Sequence, residues 1–168
     1  MKKILFLAMT VCCLILGGYT ISFAAKKSEA GKMSNADKVV KFLQDAKVFY
    51  IATIDGDQPR VRPFGVALNI NGKVSICTGA FKNVYKQIAA NSKVEISAMT
   101  PDNRWIRLSG SLINVTTEEN QQKFFAASDG LDKLYSGDKR KDFTILSFQN
   151  AIAIIESFDG YKETIELK

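Results

Sequence analysis

The stretch "IATIDGDQPRVRPFGVALNINGKVSICTGAFKNVYKQIAAN", residues 51–91, strings β-prone runs, tight turns and a helix together without a linker. Its first run, extended back to Val48 as "VFYIATI", is β-branched and aromatic and is closed by "DGDQP". A second extended run, "PRVRPFGVAL", reaches to about Ile70. Asn71-Gly72 is a strong two-residue hairpin signal, and "KVSICT" (73–78) supplies the returning strand. Side chains two apart on a strand share a face. Arg60, Arg62, Phe64, Val66 and Leu68 are therefore expected on one side, with Val61, Pro63, Gly65, Ala67 and Asn69 on the other. The two guanidinium groups would converge. An edge strand also carries charge simply to block further pairing, so the neighbouring sequence must decide between a solvated edge and an anion site.

The helix that follows bears on that choice. Phe81, Val84, Tyr85, Ile88 and Ala89 fall on one stripe at helical spacing, with Lys82 and Lys86 on another side. The helix opens directly after a strand and a Thr-Gly turn, so its free N–H groups and both lysines face one region. A helix N-terminus beside cations favours an anion. For the lysine pair alone, a solvated helix face is the competing reading.

The chain has 168 residues and a formal net charge of +6, with no histidine. Without histidine the commonest general base, the usual catalytic triads and most zinc sites are excluded, so any chemistry is expected to come from a cofactor. The basic residues are scattered instead of forming a block, which suits a phosphorylated small molecule better than nucleic acid. Lys2 and Lys3 followed by an uncharged run from Ile4 to Leu16 and the small-residue "SFAA" have the layout of a secretory signal peptide, residues 1–24, cleaved after Ala24. An uncleaved membrane anchor is the alternative, since Ile4 to Ala25 carries no charge. Residues 25–33 read as a linker and 34–168 as one domain. Cys12 and Cys13 lie in the signal, which leaves Cys77 alone in the mature chain and excludes an internal disulfide.

Within the domain, Ser34 and Asp37 form a capping pair ahead of a helix carrying Val39, Val40, Leu43 and Ala46. "KVEISAM" (93–99) and "WIRLSGSLINV" (105–115) read as a hairpin around Pro101 to Arg104. Ile106, Leu108 and Leu112 are expected to face the core there, with Trp105 and Arg107 opposite. Thr116 and Glu119 look like a capping box for a helix through Phe124, Phe125 and Ala127. "SDGLDKLYSGDKRKD" reads as a charged connection with room for one helical turn. Residues 150–160 and 161–168 close the chain as two strands about Asp159-Gly160. The expected class is α+β, mainly β: a six- to seven-stranded antiparallel Greek-key split β-barrel with two or three covering helices.

This motif order, from the leading helix through "IATIDGDQPRVRPFGV", "NINGKVSICT" and "GAFKNVYKQIAANSKVEI" to "WIRLSGSL", resembles the pyridoxamine 5'-phosphate oxidase-like family of FMN-binding split barrels. The resemblance implies a homodimer with two FMN molecules at the subunit interface. It implies that the phosphate is held by Arg60 and Arg62 of the strand and by Thr78, Lys82, Asn83 and Lys86 of the helix group. Pro63, Phe64, Gly65 and Val66 would lie along the flavin ring, and Trp105 and Arg107 would reach the other subunit's flavin. For Trp105, plain packing is an equal reading. Cys77 is read as a buried small hydrophobe, with a flavin contact as the alternative. The C-terminal "SFDGYKETIELK" lacks the arginine and histidine that the vitamin B6 oxidases use, so their own reaction is not expected.

The resulting expectation is an exported FMN-dependent oxidoreductase acting on a small molecule. The alternatives are a non-enzymatic binder of flavin or another phosphorylated ligand, and a ligand-free interaction barrel. Contact with a membrane is expected only through an uncleaved export signal. N-terminal sequencing of the protein recovered from outside the cytoplasm should begin at Ala25, whereas intact Met1 in a membrane fraction would establish the anchor.

Overall fold

A computed structural model describes residues 33–168. The expected export signal and its cleavage point, Cys12, Cys13 and all but the end of the expected linker lie outside the described residues. Eight strands form one antiparallel sheet: β1 (Phe49–Asp55), β2 (Gln58–Phe64), β3 (Ala67–Ile70), β4 (Lys73–Gly79), β5 (Lys93–Met99), β6 (Arg104–Asn114), β7 (Phe143–Ser157) and β8 (Lys162–Leu167). The helices are α1 (Asn35–Ala46), α2 (Asn83–Ala90), α3 (Glu118–Ala127) and α4 (Asp129–Leu134), followed by a 3₁₀ turn over Gly137–Asp142. The class is α+β, as expected.

The strand path runs β2-β1-β5-β6-β7-β4-β3, with β8 beside the second half of β7. Its two ends, β2 and β3, are joined by Gly65 and Val66 alone. Four consecutive residues span little more than about 10 Å. The sheet therefore has to curl until its ends meet. The seam is closed by the chain and not by a ladder of hydrogen bonds, which makes the barrel a split one.

This break corrects the expectation of one strand from Pro59 to Ile70. β2 pairs with β1 and β3 with β4, and the parity of the faces changes across the gap. Phe64 packs on the main core, while Val66 and Leu68 pack on a second cluster. Asn71 and Gly72, both at positive φ, make the turn into β4, and the Asn69 side-chain oxygen accepts from the Gly72 N–H at 2.8 Å.

The main core fills the barrel with inward residues such as Ile51, Ile96, Ile106 and Leu108, covered by Val39, Val40, Phe42 and Leu43 of α1. Ser34 caps α1, accepting from the Asp37 N–H at 3.1 Å. The second cluster gathers Phe124 and Phe125 of α3, Leu131 and Tyr135 against Phe143, Ile145 and Cys77. β4 and the first half of β7 are thus sandwiched between two cores. That is why β7 begins at Phe143, seven residues before the expected start: its residues 143–148 are all buried, so they show no alternation of polar and apolar side chains. The cap of α3 is Thr117, not Thr116. Thr117 Oγ1 accepts from Asn120 N–H, while Thr116 Oγ1 is taken by the Ile145 N–H at 2.9 Å.

β6 carries a register shift between Ser109 and Ser111. A Cβ on Gly110 would stand 2.6 Å from the Cβ of Ala151 and 3.0 Å from its Cα. Gly110→Ala should therefore destabilise the fold by about 1–3 kcal/mol through overpacking, read as a lower urea midpoint. Adding Ala151→Gly should recover much of the loss.

Candidate functional site

A cleft of about 330 Å³ opens at the seam, within the size range of small-molecule sites. One wall is the seam itself, Arg62 to Val66. The other is Leu131, Leu134 and Tyr135, with Cys77, Lys82 and Val84 completing the lining. The surface is mainly apolar with two cations. The sequence reading missed Leu131, Leu134 and Tyr135, which lie in the segment read as a charged connection. The spacing of Leu131, Leu134 and Tyr135, three and four apart, was the available signal.

Arg62 points inward. Cross-strand pairing sets it in the row Arg62, Ile51, Ile96, Leu108, Ala153 and Ile165, whose other members are all buried. A half-buried cation aimed inward still has to be satisfied. Its Nη1 donates to Thr53 Oγ1 at 2.6 Å and its Nη2 to Gln87 Oε1 at 2.8 Å, while Thr53 Oγ1 donates to Gln87 Oε1 at 2.7 Å. Among the described residues Arg62 has no carboxylate partner within 4.0 Å. Burial, and then the neighbouring Arg60, pull its pKa below the ordinary arginine value, but a guanidinium keeps its proton in proteins. The site therefore holds a full positive charge braced by neutral groups.

Lys82 stands at the N-cap of α2 and supplies no side-chain cap, so the first N–H groups of the helix are left for another acceptor. Its Nζ lies 5.1 Å from the centroid of the Tyr135 ring, a cation–π approach that ties the helix start to the opposite wall. α2 begins at Asn83, two residues later than the apolar stripe suggested. Phe81 and Ala89 are exposed, and the inward face is Val84, Gln87 and Ile88. Thr78 is 1% exposed, and its Oγ1 has no hydrogen-bond partner among the described residues.

The structure brings Arg62, Pro63, Phe64, Val66 and Lys82 together at one cleft. Asn83 and Lys86 line an adjoining depression with Asp55, Gly56 and Gln87. Arg60 is exposed, its Nε 3.4 Å from the Asp55 carboxylate. Trp105 lies on the outer sheet face, its ring 5.0 Å from that of Phe158, in a shallow apolar depression with Tyr50 and Met99. Arg107 shares that face and approaches Glu156 at 3.6 Å.

A family profile described as pyridoxamine 5'-phosphate oxidase matches residues 36–151. The chain belongs to the pyridoxamine 5'-phosphate oxidase family. Among solved structures, a NimC/NimA family protein from Clostridium acetobutylicum is 38% identical, with a TM-score of 0.75 over 80% of this chain and 95% of that one. Two more distant members of the fold are a pyridoxamine 5'-phosphate oxidase-related, FMN-binding protein from Nostoc punctiforme and a FAD-binding protein from Mesorhizobium loti. The Nostoc protein is 12% identical, with a TM-score of 0.52 over 79% of this chain and 93% of that one. The Mesorhizobium protein is 11% identical, with a TM-score of 0.53 over 71% and 94%. No curated protein matches the chain.

Within this pyridoxamine 5'-phosphate oxidase family cleft, Cys77 is the one thiol among the lining residues, and it is 8% exposed. Burial pushes its thiol up to about 12, against a smaller opposing pull from Lys82. With a reference value of 9.0, three units lower, the folded thiol holds its proton at pH 8. In a chain carrying Cys12→Ser and Cys13→Ser, a disulfide reagent at pH 8 should attack folded Cys77 more slowly than the urea-unfolded chain, by about tenfold or more, because the folded thiol is both harder to ionise and shielded. Equal rates would place the thiol outside the wall.

Proposed function

We propose that this chain is an exported, homodimeric flavoprotein that binds FMN in the seam cleft and serves as an oxidoreductase for a small molecule. The observation that carries the reading is Arg62: an inward, carboxylate-free guanidinium held by neutral partners beside an uncapped helix start. Such an arrangement costs stability unless an anion completes it. Arg62 and Lys82 would hold the phosphate, with the N–H groups of α2 as further donors. The partnerless hydroxyl of Thr78 fits a polar ligand better than an apolar one. Pro63 to Val66 would lie along the ring, where the seam leaves an apolar strip. The flavin would supply the electron transfer, a chemistry the side chains lining the cleft do not carry. Vitamin B6 oxidation is left out of this reading because the C-terminal strand carries neither arginine nor histidine.

The dimer is supported by the outer sheet face. Tyr50, Met99 and Ile152 are about half exposed and Phe158 is 79% exposed, an apolar surface of the kind that marks an association site. Trp105 and Arg107 stand on it and would reach the partner's flavin. Export is proposed from the signal-like N-terminal residues alone.

Apoprotein titrated with FMN should bind one molecule per chain, and light scattering of the loaded protein should read a dimer. Arg62→Gln and Lys82→Gln should each weaken FMN by about tenfold to a hundredfold, the worth of one charge-assisted contact. Neither should change binding of riboflavin, which lacks the phosphate. Equal affinity of wild type for the two ligands would overturn the phosphate assignment. Sustained reduction of an acceptor by the loaded protein separates an oxidoreductase from a flavin carrier.

A further inference from the structure

We infer that Gln87 is a positioning residue that holds the Arg62 guanidinium for phosphate without neutralising it. The inference rests on the FMN reading above and deepens it.

Gln87 is 8% exposed and lies on the inward face of α2 between Val84 and Ile88. An amide there costs stability unless it is bonded. Its oxygen is bonded twice, by Arg62 Nη2 at 2.8 Å and by Thr53 Oγ1 at 2.7 Å. Arg62 is a donor only, so the atom it meets has to be the amide oxygen, which fixes which way Gln87 is turned. Thr53, 2% exposed, closes the ring by accepting from Arg62 Nη1 at 2.6 Å.

Three elements meet in this ring: Thr53 on β1, Arg62 on β2 and Gln87 on α2. The same hydrogen bonds therefore set the guanidinium plane and fix its distance from the start of α2. Those are the two halves of the proposed anion site. A ring whose only task was to satisfy an inward arginine would do better with a carboxylate, which would also cancel the charge. A glutamine and a threonine satisfy the geometry and leave the charge in place. They engage two of the five guanidinium donors, so three remain for a ligand.

The test uses FMN and riboflavin as probes against wild type, Gln87→Met, Gln87→Glu and Arg62→Gln. Gln87→Met, close in volume, should weaken FMN by about tenfold and leave riboflavin unchanged. In the Arg62→Gln background the same change should have no further effect on FMN, because the residue acts through the arginine. Gln87→Glu keeps both acceptor contacts and should retain the denaturation midpoint while losing FMN affinity through charge cancellation. If Gln87→Met weakens both ligands alike, or adds its full effect on top of Arg62→Gln, the role is structural and the inference fails. If wild type prefers FMN and Arg62→Gln abolishes that preference while both Gln87 variants keep it, the inference alone fails. If wild type takes up no FMN, the functional reading falls and this one falls with it.

Discussion

The two ends of the strand path are two residues apart in sequence, and the rest of the molecule answers to that constraint. β2 and β3 cannot lie at opposite edges of an open sheet when only Gly65 and Val66 join them. Curling brings the ends together, yet the chain turns from one partner to the other there, so no ladder forms across the join. Every other pair of neighbouring strands in the path is joined by an antiparallel ladder. The seam is the place where backbone polar groups and apolar side chains face a gap, and the cleft is found there.

The same constraint explains the inward arginine. At the outer end of an inward-facing row, Arg62 can cover the barrel's open side with its stem and reach Thr53 and Gln87 with its head. In the middle of the row, where Ile96 and Leu108 sit fully buried, no polar partner is within reach and the charge would be intolerable. Edge position, not charge alone, makes the cation affordable. Thr78 shows a related cost: a buried hydroxyl with no partner is worth roughly 1–3 kcal/mol against folding, a penalty that a polar ligand could relieve.

Much of this was legible in the residues. Asn71-Gly72 announced its hairpin, Ser34 its cap, and the alternation of Ile106, Leu108 and Leu112 the inward face of β6. What was hidden was hidden for physical reasons. The break at Gly65 leaves the run from Pro59 to Ile70 looking continuous, because β2 and β3 both favour extended backbone and differ only in their partners. Residues 143–148 are buried on both faces, so the alternation that reveals a half-buried strand was missing. Thr116 and Thr117 are equivalent as caps until the Ile145 N–H claims the first. At the site, Arg62 and Lys82 were visible as cations near a helix start, but Gln87 was passed over on an otherwise apolar stripe. A buried polar residue is meaningful only once its partners, Thr53 and Arg62, are known to be opposite it.

β7 serves three neighbours at once: β6 along most of its length, β4 through residues 143–147 and β8 through residues 151–156. Of the described strands, only β8 follows it in the chain. Any nascent chain that stops short of Phe143 lacks the strand on which β4 and β6 are joined, so the barrel cannot close before β7 has been made. Loop-closure entropy across such long separations is met late, which favours slow folding governed by topology. Until then the apolar faces of β4, β6 and α3 have no permanent cover, and the emergence of β7 is the step that lets the barrel close.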